Sequence, residues 1–517
     1  MSVQILSRKQ LAMKFDDIMT RDLGEFGRYQ KVLFIFVCAP CMIAAMQALV
    51  WSFSAADLPH RCRLNWELEN ATYQTLNSIG LEKTCENCPK FKSCWLNGTS
   101  ECPYGYVYDH TEIEKSAIDE WNLVCDKGWI KAFIQSTYYI GQAIGSIVFG
   151  FMGDRFGRKK VVIIAICLVL IAGFGMVKPV VWWVYALWRT LAGMSHPGIS
   201  NISLLIGTEL VGPSGRRFGS LMSGLFFAMG HCLLVLLAYF IRDFEVLQLA
   251  IAIIPILVFV YYWFIPESPR WLVSQRRYKE ANEILKEVAI VNKTQLAHDW
   301  AESVDEALED KAVRRYNLFH LFKSPKILCR VLAMFFVWPV VSMVYYGVSM
   351  NPNFLGGNLY IAFALGAIVE LPAILMMYSM IDRVGRKKLI CCGFLMCVVA
   401  LLSNWAIPES AYDWISISQF LITKSAIALT MNSLYTYTPE LFPTVLRATA
   451  SLGCSMMARI GAVSASFIMM WLVEKYSKLV VIIPFSLLSL ISAIVVWFFL
   501  PETMGGKLPE SIEDIEE

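Results

Sequence analysis

Asp154-Arg-Phe-Gly-Arg-Lys-Lys160 recurs as Asp382-Arg-Val-Gly-Arg-Lys-Lys388, about 228 residues further along the chain. Each copy sits between two long apolar runs. Two further pairs keep the same order. Thr208-Glu-Leu210 with Pro213 and Arg216 is echoed by Pro439-Glu-Leu441 with Pro443 and Arg447, and Pro266-Glu-Ser268 by Pro501-Glu-Thr503. Three matched pairs in one register mark an internal repeat. The pairs follow the second, fourth and sixth apolar runs of each half, so the repeat unit is six runs long.

Those runs decide the class of protein. The chain has 517 residues, of which 56% are hydrophobic and only 17% charged, and its mean hydropathy is +0.52. Run after run reaches the roughly 20 residues that a helix needs to cross a hydrocarbon core. The expected fold is an all-α membrane protein of twelve transmembrane helices in two pseudo-symmetric six-helix halves. The halves fall at 30–265 and 328–500, with polar segments at 1–29, 266–327 and 501–517. Segment 1–29 is polar and mixed in charge, and the first apolar run is long enough to span, so it reads as a retained signal-anchor rather than a cleaved signal peptide. A net charge of +3 gives no global field for nucleic acid.

Orientation follows from basic residues, which favour the cytoplasmic side. Arg155, Arg158, Lys159 and Lys160 lie on the same side as Arg383, Arg386, Lys387 and Lys388, and as the start of the 266–327 segment. Both termini are then cytoplasmic. Segment 54–128 falls on the other side and carries Cys62, Cys85, Cys88, Cys94, Cys102 and Cys125. Six cysteines in one lumenal loop suit three disulfides. The competing reading is zinc on the Cys85-x-x-Cys88 pair, against which stand two glycosylation sequons in the same loop, at Asn70 and Asn97.

Gly150-x-x-x-Asp154-Arg-x-Gly157-Arg-Lys-Lys160 resembles the signature loop of the major facilitator superfamily. Pro266-Glu-Ser-Pro-Arg-Trp-Leu272, Gly207-Thr-Glu209, Phe240-Ile-Arg-Asp243, Gly357-Asn-Leu-Tyr360 and Tyr437-Thr-Pro-Glu-Leu-Phe-Pro443 narrow the resemblance. With the cysteine-rich first loop, they resemble the organic cation, organic anion and carnitine transporter family, from Gly24 to Glu510. The resemblance implies a plasma-membrane carrier of small organic ions working by alternating access, with sodium or protons as candidate co-transported ions, and with no enzymatic activity, cofactor or resident metal. It implies a gating role for Asp154, Arg155, Arg158, Asp382, Arg383 and Arg386, with Glu209 and Glu440 as partners of the same clusters. A role in topology alone explains the bases but not the acids.

Ionisable residues inside a membrane are expensive and are functional candidates by default. Glu370, Arg459, Lys424, Arg189 and His231 lie within apolar runs. In the family the eleventh span carries an acid in cation-selective members and an arginine, as at Arg459, in anion and carnitine members. A guanidinium suits a substrate carboxylate; the competing reading is an ion pair with Glu370. Glu370 matches cation and carnitine members and suits an amine, unless it packs against a base. The lysine that accompanies the acid in anion members is here Ile374. Lys424 resembles a basic position shared across the family. Arg189 reads as structural or coupling, and His231 as a satisfied core histidine. Trp338 and Tyr345 lie two turns apart on one face, where the family lines its cavity with aromatics, as does Tyr346. One acid with nearby bases suits zwitterions such as carnitine, then organic cations. Organic anions are the alternative. A sugar carrier is disfavoured by the absence of a Gln-Gln pair in the seventh run. No nucleophile elbow, P-loop, dinucleotide fingerprint or metal set points to an enzyme.

Overall fold

The computed structural model describes residues 19, 23–24, 26–63, 73, 102, 104–297, 300–301, 325–350, 359–406, 413–443, 447–476 and 479–505. Helices dominate. In the first half, α1 is Arg28–Ser54, α2 Gly128–Phe156, α3 Arg158–Gly175 and α4 Trp182–Pro197, which runs on through a π-helical turn, Gly198–Ile202, into Ser203–Glu209. Then come α5, Pro213–Phe240, and α6, Phe244–Tyr262. The second half contains α7, Pro325–Met350, α8, Leu359–Val384, α9, Arg386–Ala406, α10, Asp413–Leu441, α11, Arg447–Phe467, and α12, Leu479–Phe499.

Among the described residues, seven of these helical stretches are long and apolar enough to cross a membrane, and α6 holds a shorter apolar stretch, Phe244–Val260. The others depart from that pattern for visible reasons. Basic residues open α3 and α9, the π-helical turn interrupts α4, and α2 buries Gln135, Ser136, Thr137 and Gln142. A helix can carry such a polar face when it is turned inward.

The internal repeat is visible in the packing. α1 packs on α5 as α7 does on α11, α2 on α4 as α8 on α10, and α3 on α6 as α9 on α12. The halves meet through α2 against α11 and α5 against α8, two contacts related by the same pseudo-symmetry. Small residues permit these approaches. A Cβ on Gly461 of α11 would collide with the Pro339 carbonyl of α7, and one on Gly193 of α4 with the Tyr138 carbonyl of α2.

Between α1 and α2, strands β1 (His60–Cys62) and β2 (Tyr106–Tyr108) pair antiparallel. Cys62 and Cys102 form a disulfide beside them, and Cys125 is also disulfide-bonded. Cys85, Cys88, Cys94, Asn70 and Asn97 lie outside the described residues. The end of this segment is fastened to the α5–α6 turn by Lys115, which reaches Glu245 at 2.8 Å and Glu120 at 3.0 Å. The hydrogen bond to Glu245 and the neighbouring carboxylates hold its ammonium above the usual lysine range. In the segment between the halves, helix Tyr278–Asn292 clamps the start of α1. The Asn292 Oδ1 accepts the Tyr29 N–H at 3.0 Å, and its Nδ2 donates to the Leu23 carbonyl at 2.9 Å.

Candidate substrate site and gates

The repeated basic stretches are not loops. Gly157 (φ 103°) and Gly385 (φ 100°) are the single non-helical residues between α2 and α3 and between α8 and α9. Both sit in a region of backbone space that favours glycine. Arg158, Lys159 and Lys160 therefore fill the first turn of α3, where the helix dipole disfavours positive charge. Glu267 offsets this. Its carboxylate accepts the Arg158 N–H at 2.9 Å and the Lys159 N–H at 3.1 Å. Glu502 does the same for Arg386 at 3.0 Å and Lys387 at 3.1 Å. The echo of Pro-Glu-Ser in Pro-Glu-Thr is thus the acidic cap of the repeated turn, a role that its sequence position did not disclose.

Each turn carries a charge knot. The Arg158 guanidinium lies 2.9 Å from Asp154 and 3.5 Å from Glu209, joining α2, α3 and α4. Arg386 lies 3.0 Å from Asp382 and 3.1 Å from Glu440, joining α8, α9 and α10. Both knots lie wholly within their own half. Arg155 and Arg383 are exposed and reach no carboxylate among the described residues; Arg155 lies over the Phe156 ring at 5.6 Å. Neither arginine joins the charge knots that Arg158 and Arg386 form among the described residues.

At the centre, α8 carries Glu370, which is 2% exposed. The Lys424 ammonium of α10 lies 2.5 Å from one carboxylate oxygen, and the Tyr345 hydroxyl of α7 donates to the same oxygen at 2.9 Å. His231 of α5 approaches the other oxygen at 3.4 Å. Lys424 also donates to Ser349 and lies 4.0 Å over the Tyr345 ring. A buried charge needs a partner and hydrogen bonds to be tolerated, and Glu370 has both. His231, read from sequence as a satisfied core histidine, engages Glu370 from the opposite half, while its Nε2 has no hydrogen-bond partner. A small cavity of about 20 Å³ adjoins the cluster, lined by Leu49, His231, Ser349, Phe363, Phe420 and Lys424. Phe53 against Phe363 at 4.6 Å, and Tyr239 against Tyr360 at 5.8 Å, close the seam between the halves at the end away from the repeated turns.

Arg459 of α11 differs. It is 5% exposed, its Nε has no partner, and it forms no ion pair among the described residues. Its ionisable neighbours are the phenols Tyr346, Tyr435 and Tyr138. The pairing of Arg459 with Glu370 that the sequence left open is not present. Tyr345 and Tyr346, with rings 5.2 Å apart, stand between the two: the first meets Glu370, the second Arg459. Trp338 belongs to the Arg459 side, donating to Thr438 at 3.1 Å with its ring 4.9 Å from that of Tyr435. Arg189 is spoken for, donating to the Gln47 carbonyl at 2.7 Å and to Gln135 at 3.0 Å.

One polar residue here escaped the sequence reading. Gln142 of α2 is fully buried beside Tyr138, close enough to interact with its phenol, and neither end of its amide makes a hydrogen bond of good geometry among the described residues. Its signal was the repeat register: it stands as far ahead of Asp154 as Glu370 stands ahead of Asp382. A buried amide without good hydrogen bonds costs free energy, on the order of 2–7 kcal/mol.

The sequence profile of a family described as "Sugar (and other) transporter" matches residues 102–514. The "Organic cation transporter protein" of Drosophila melanogaster is 33% identical over 526 residues, covering 98% of this chain and 95% of that one. "Solute carrier family 22 member 6-B" of Xenopus laevis is 31% identical over 536 residues, again covering 98% and 95%. An inward-open structure of the xylose transporter XylE from E. coli, 17% identical, matches with a TM-score of 0.64 over 94% of this chain and 99% of that one, a likeness of fold. The chain belongs to the major facilitator superfamily, and within it to the organic ion transporter family of these organic cation transporters and solute carrier family 22 members.

Proposed function

We propose that this protein is a plasma-membrane carrier of small organic zwitterions such as carnitine, with organic cations as weaker substrates. Twelve spans in two six-helix halves rock about a central site, with the cysteine-rich segment outside and both termini in the cytoplasm. Arg459 carries the reading. It is a buried guanidinium with no acid of its own, while Glu370 already has Lys424. A zwitterion places its carboxylate on Arg459, Gln142 and Tyr346. Its ammonium then lies against the faces of Tyr345 and Tyr346, a cation–π arrangement, with Glu370 beyond. Glu370 and Lys424 cancel, which leaves the positive charge of Arg459. A simple cation meets that charge uncompensated.

The same surplus favours a second reading, an organic anion as substrate. Uptake into proteoliposomes separates the two. Labelled carnitine, tetraethylammonium and an aromatic carboxylate are offered at equal concentration, with sodium and proton gradients imposed in turn. Carnitine ahead of both others is the expected order. The aromatic carboxylate ahead of carnitine supports the second reading, and tetraethylammonium ahead of carnitine defeats both.

A further inference from the structure

A second opening among the described residues is larger than the central pocket. A crevice of about 720 Å³ separates the second half of α5 from the first half of α8, with Cys232, Val235, Leu236 and Tyr239 on one wall and Tyr360, Ile361, Ala364 and Ile368 on the other. Each set recurs at helical spacing, so each wall is one continuous face of its helix. Leu236, Ile361 and Ile368 are each 54% exposed, which opens the crevice sideways, toward the hydrocarbon of a surrounding bilayer. At the end away from the repeated basic turns it is lined by two opposite charges, Glu112 and Arg242. Both are exposed, and neither side chain forms an ion pair or hydrogen bond among the described residues, with the other or with any third group. Tyr239 and Tyr360, whose rings contact at 5.8 Å, stand beside them.

We infer that this crevice is a binding site for a zwitterionic phospholipid of the outer leaflet, with one acyl chain between α5 and α8 and a choline headgroup at its mouth. Length fits. From Cys232 to Phe240 the helix rises about 12 Å at 1.5 Å per residue, and Ile241 and Arg242 continue beyond its end, which together approach half of a hydrocarbon core of about 30 Å, one leaflet. Chemistry fits at both ends. The phosphate takes Arg242, and the trimethylammonium takes Glu112 and the faces of the two tyrosines, the kind of environment that holds quaternary ammonium. Phosphatidylglycerol satisfies Arg242 with its phosphate but, with a neutral glycerol headgroup, leaves Glu112 without a cation. The foot of the crevice lies beside the centre: Cys232 follows His231 directly, and Ile368 is two residues before Glu370. A chain seated there wedges the α5–α8 contact, one of the two along which the halves meet. The inference rests on the protein spanning the bilayer and not on the identity of its substrate.

The test uses the full-length protein in nanodiscs doped with phosphatidylcholine carrying a photoactivatable diazirine on one acyl chain, with adducts mapped by peptide mass spectrometry. Adducts are expected to concentrate on 232–242 and 360–368. Ala364→Phe, which fills the crevice, is expected to reduce them at least fivefold, with Leu236→Trp as a second filling variant should the first fail to fold. Unlabelled phosphatidylcholine should compete better than phosphatidylglycerol with the same chains, and Glu112→Gln should remove that preference. Adducts spread evenly over lipid-facing helices such as α12, or an undiminished yield at 232–242 and 360–368 in a folded crevice-filling variant, would overturn the inference. Equal competition by the two lipids in the unmodified protein would refute the headgroup assignment.

Discussion

Replacing Arg459 by Asp inverts the charge of the proposed carboxylate site, and the size of the effect follows from the surroundings of the residue. Arg459 is buried among Tyr346, Tyr435 and Tyr138 and has no acid to release, so the substitution strands no partner carboxylate. Two unit charges about 5 Å apart interact by about 3 kcal/mol at an effective dielectric constant of about 20. For a simple quaternary ammonium, a repulsion of that size becomes an attraction. For a substrate carboxylate the reverse happens. If reorganisation and water entry leave only about 2 kcal/mol of differential binding, substrate preference still moves about 30-fold. The assay is initial-rate uptake of carnitine and tetraethylammonium in competition, normalised to protein at the cell surface. Arg459→Asp is expected to lose carnitine uptake and to keep or gain tetraethylammonium uptake. Arg459→Lys keeps the charge without the bidentate fork and is expected to hold the original ranking with several-fold weaker carnitine uptake. An unchanged ranking in surface-expressed Arg459→Asp would make Arg459 a structural residue and remove the basis of the zwitterion assignment.

Lys424→Met leaves Glu370 charged and short of its main partner, a loss of about 3–5 kcal/mol; the double variant Glu370→Gln/Lys424→Met should recover most of the melting temperature, and a double variant no more stable than the single one would argue against the pairing. Asp154→Asn and Glu502→Gln loosen the knot and the cap of the repeated turns, so turnover should slow several-fold with substrate affinity little changed; a large rise in KM at constant kcat would contradict a gating role. Gln142→Leu removes a buried amide that makes no hydrogen bond of good geometry among the described residues, which is neutral or stabilising when no ligand is bound. Its melting temperature should hold or rise while KM for carnitine increases about fivefold or more, and an unchanged KM removes Gln142 from the site. Non-reducing peptide mapping should recover Cys62 linked to Cys102, whereas a free thiol at either would exclude that bridge.

The repeat was legible because its marks are local. Glycine, basic residues and an acid recur at fixed spacing, and helix ends follow from them. What those marks do was not local. The cap on Arg158 comes from Glu267, and that on Arg386 from Glu502, each more than a hundred residues away, so the Pro-Glu-Ser echo could be seen without its purpose. The buried charges were found for the same local reason, as polar letters in apolar runs. Their partners depend on how far each helix is rotated, which no sequence pattern here fixes. Glu370 could face Arg459 or Lys424, and helix rotation puts it against Lys424. His231 joins from α5 only because the halves meet there. Gln142 is less conspicuous still, since glutamine in a helix rich in small and polar residues attracts no notice until the repeat is used to align α2 with α8.

The two halves are alike at the repeated turns and unlike at the centre. The proposed rocking of two halves needs the same articulation at the same end of each, and the glycine break, acidic cap and arginine knot are duplicated there, although Arg386 meets Glu440 through two nitrogens and Arg158 meets Glu209 through one. Carnitine, the proposed substrate, has no two-fold axis, so a symmetric site would waste half its contacts. At corresponding positions α8 carries Glu370, charged and partnered, whereas α2 carries Gln142, neutral and without a well-formed hydrogen bond among the described residues. The guanidinium of Arg459, which has no acid partner among the described residues, lies beside Tyr346 and Tyr138, away from Glu370. The acid of the proposed site is thus electrically satisfied by the protein, and its guanidinium is not. On the proposed reading, a substrate with two unlike ends has only one orientation that completes the site, and closing the halves over that orientation would couple recognition to the rocking motion.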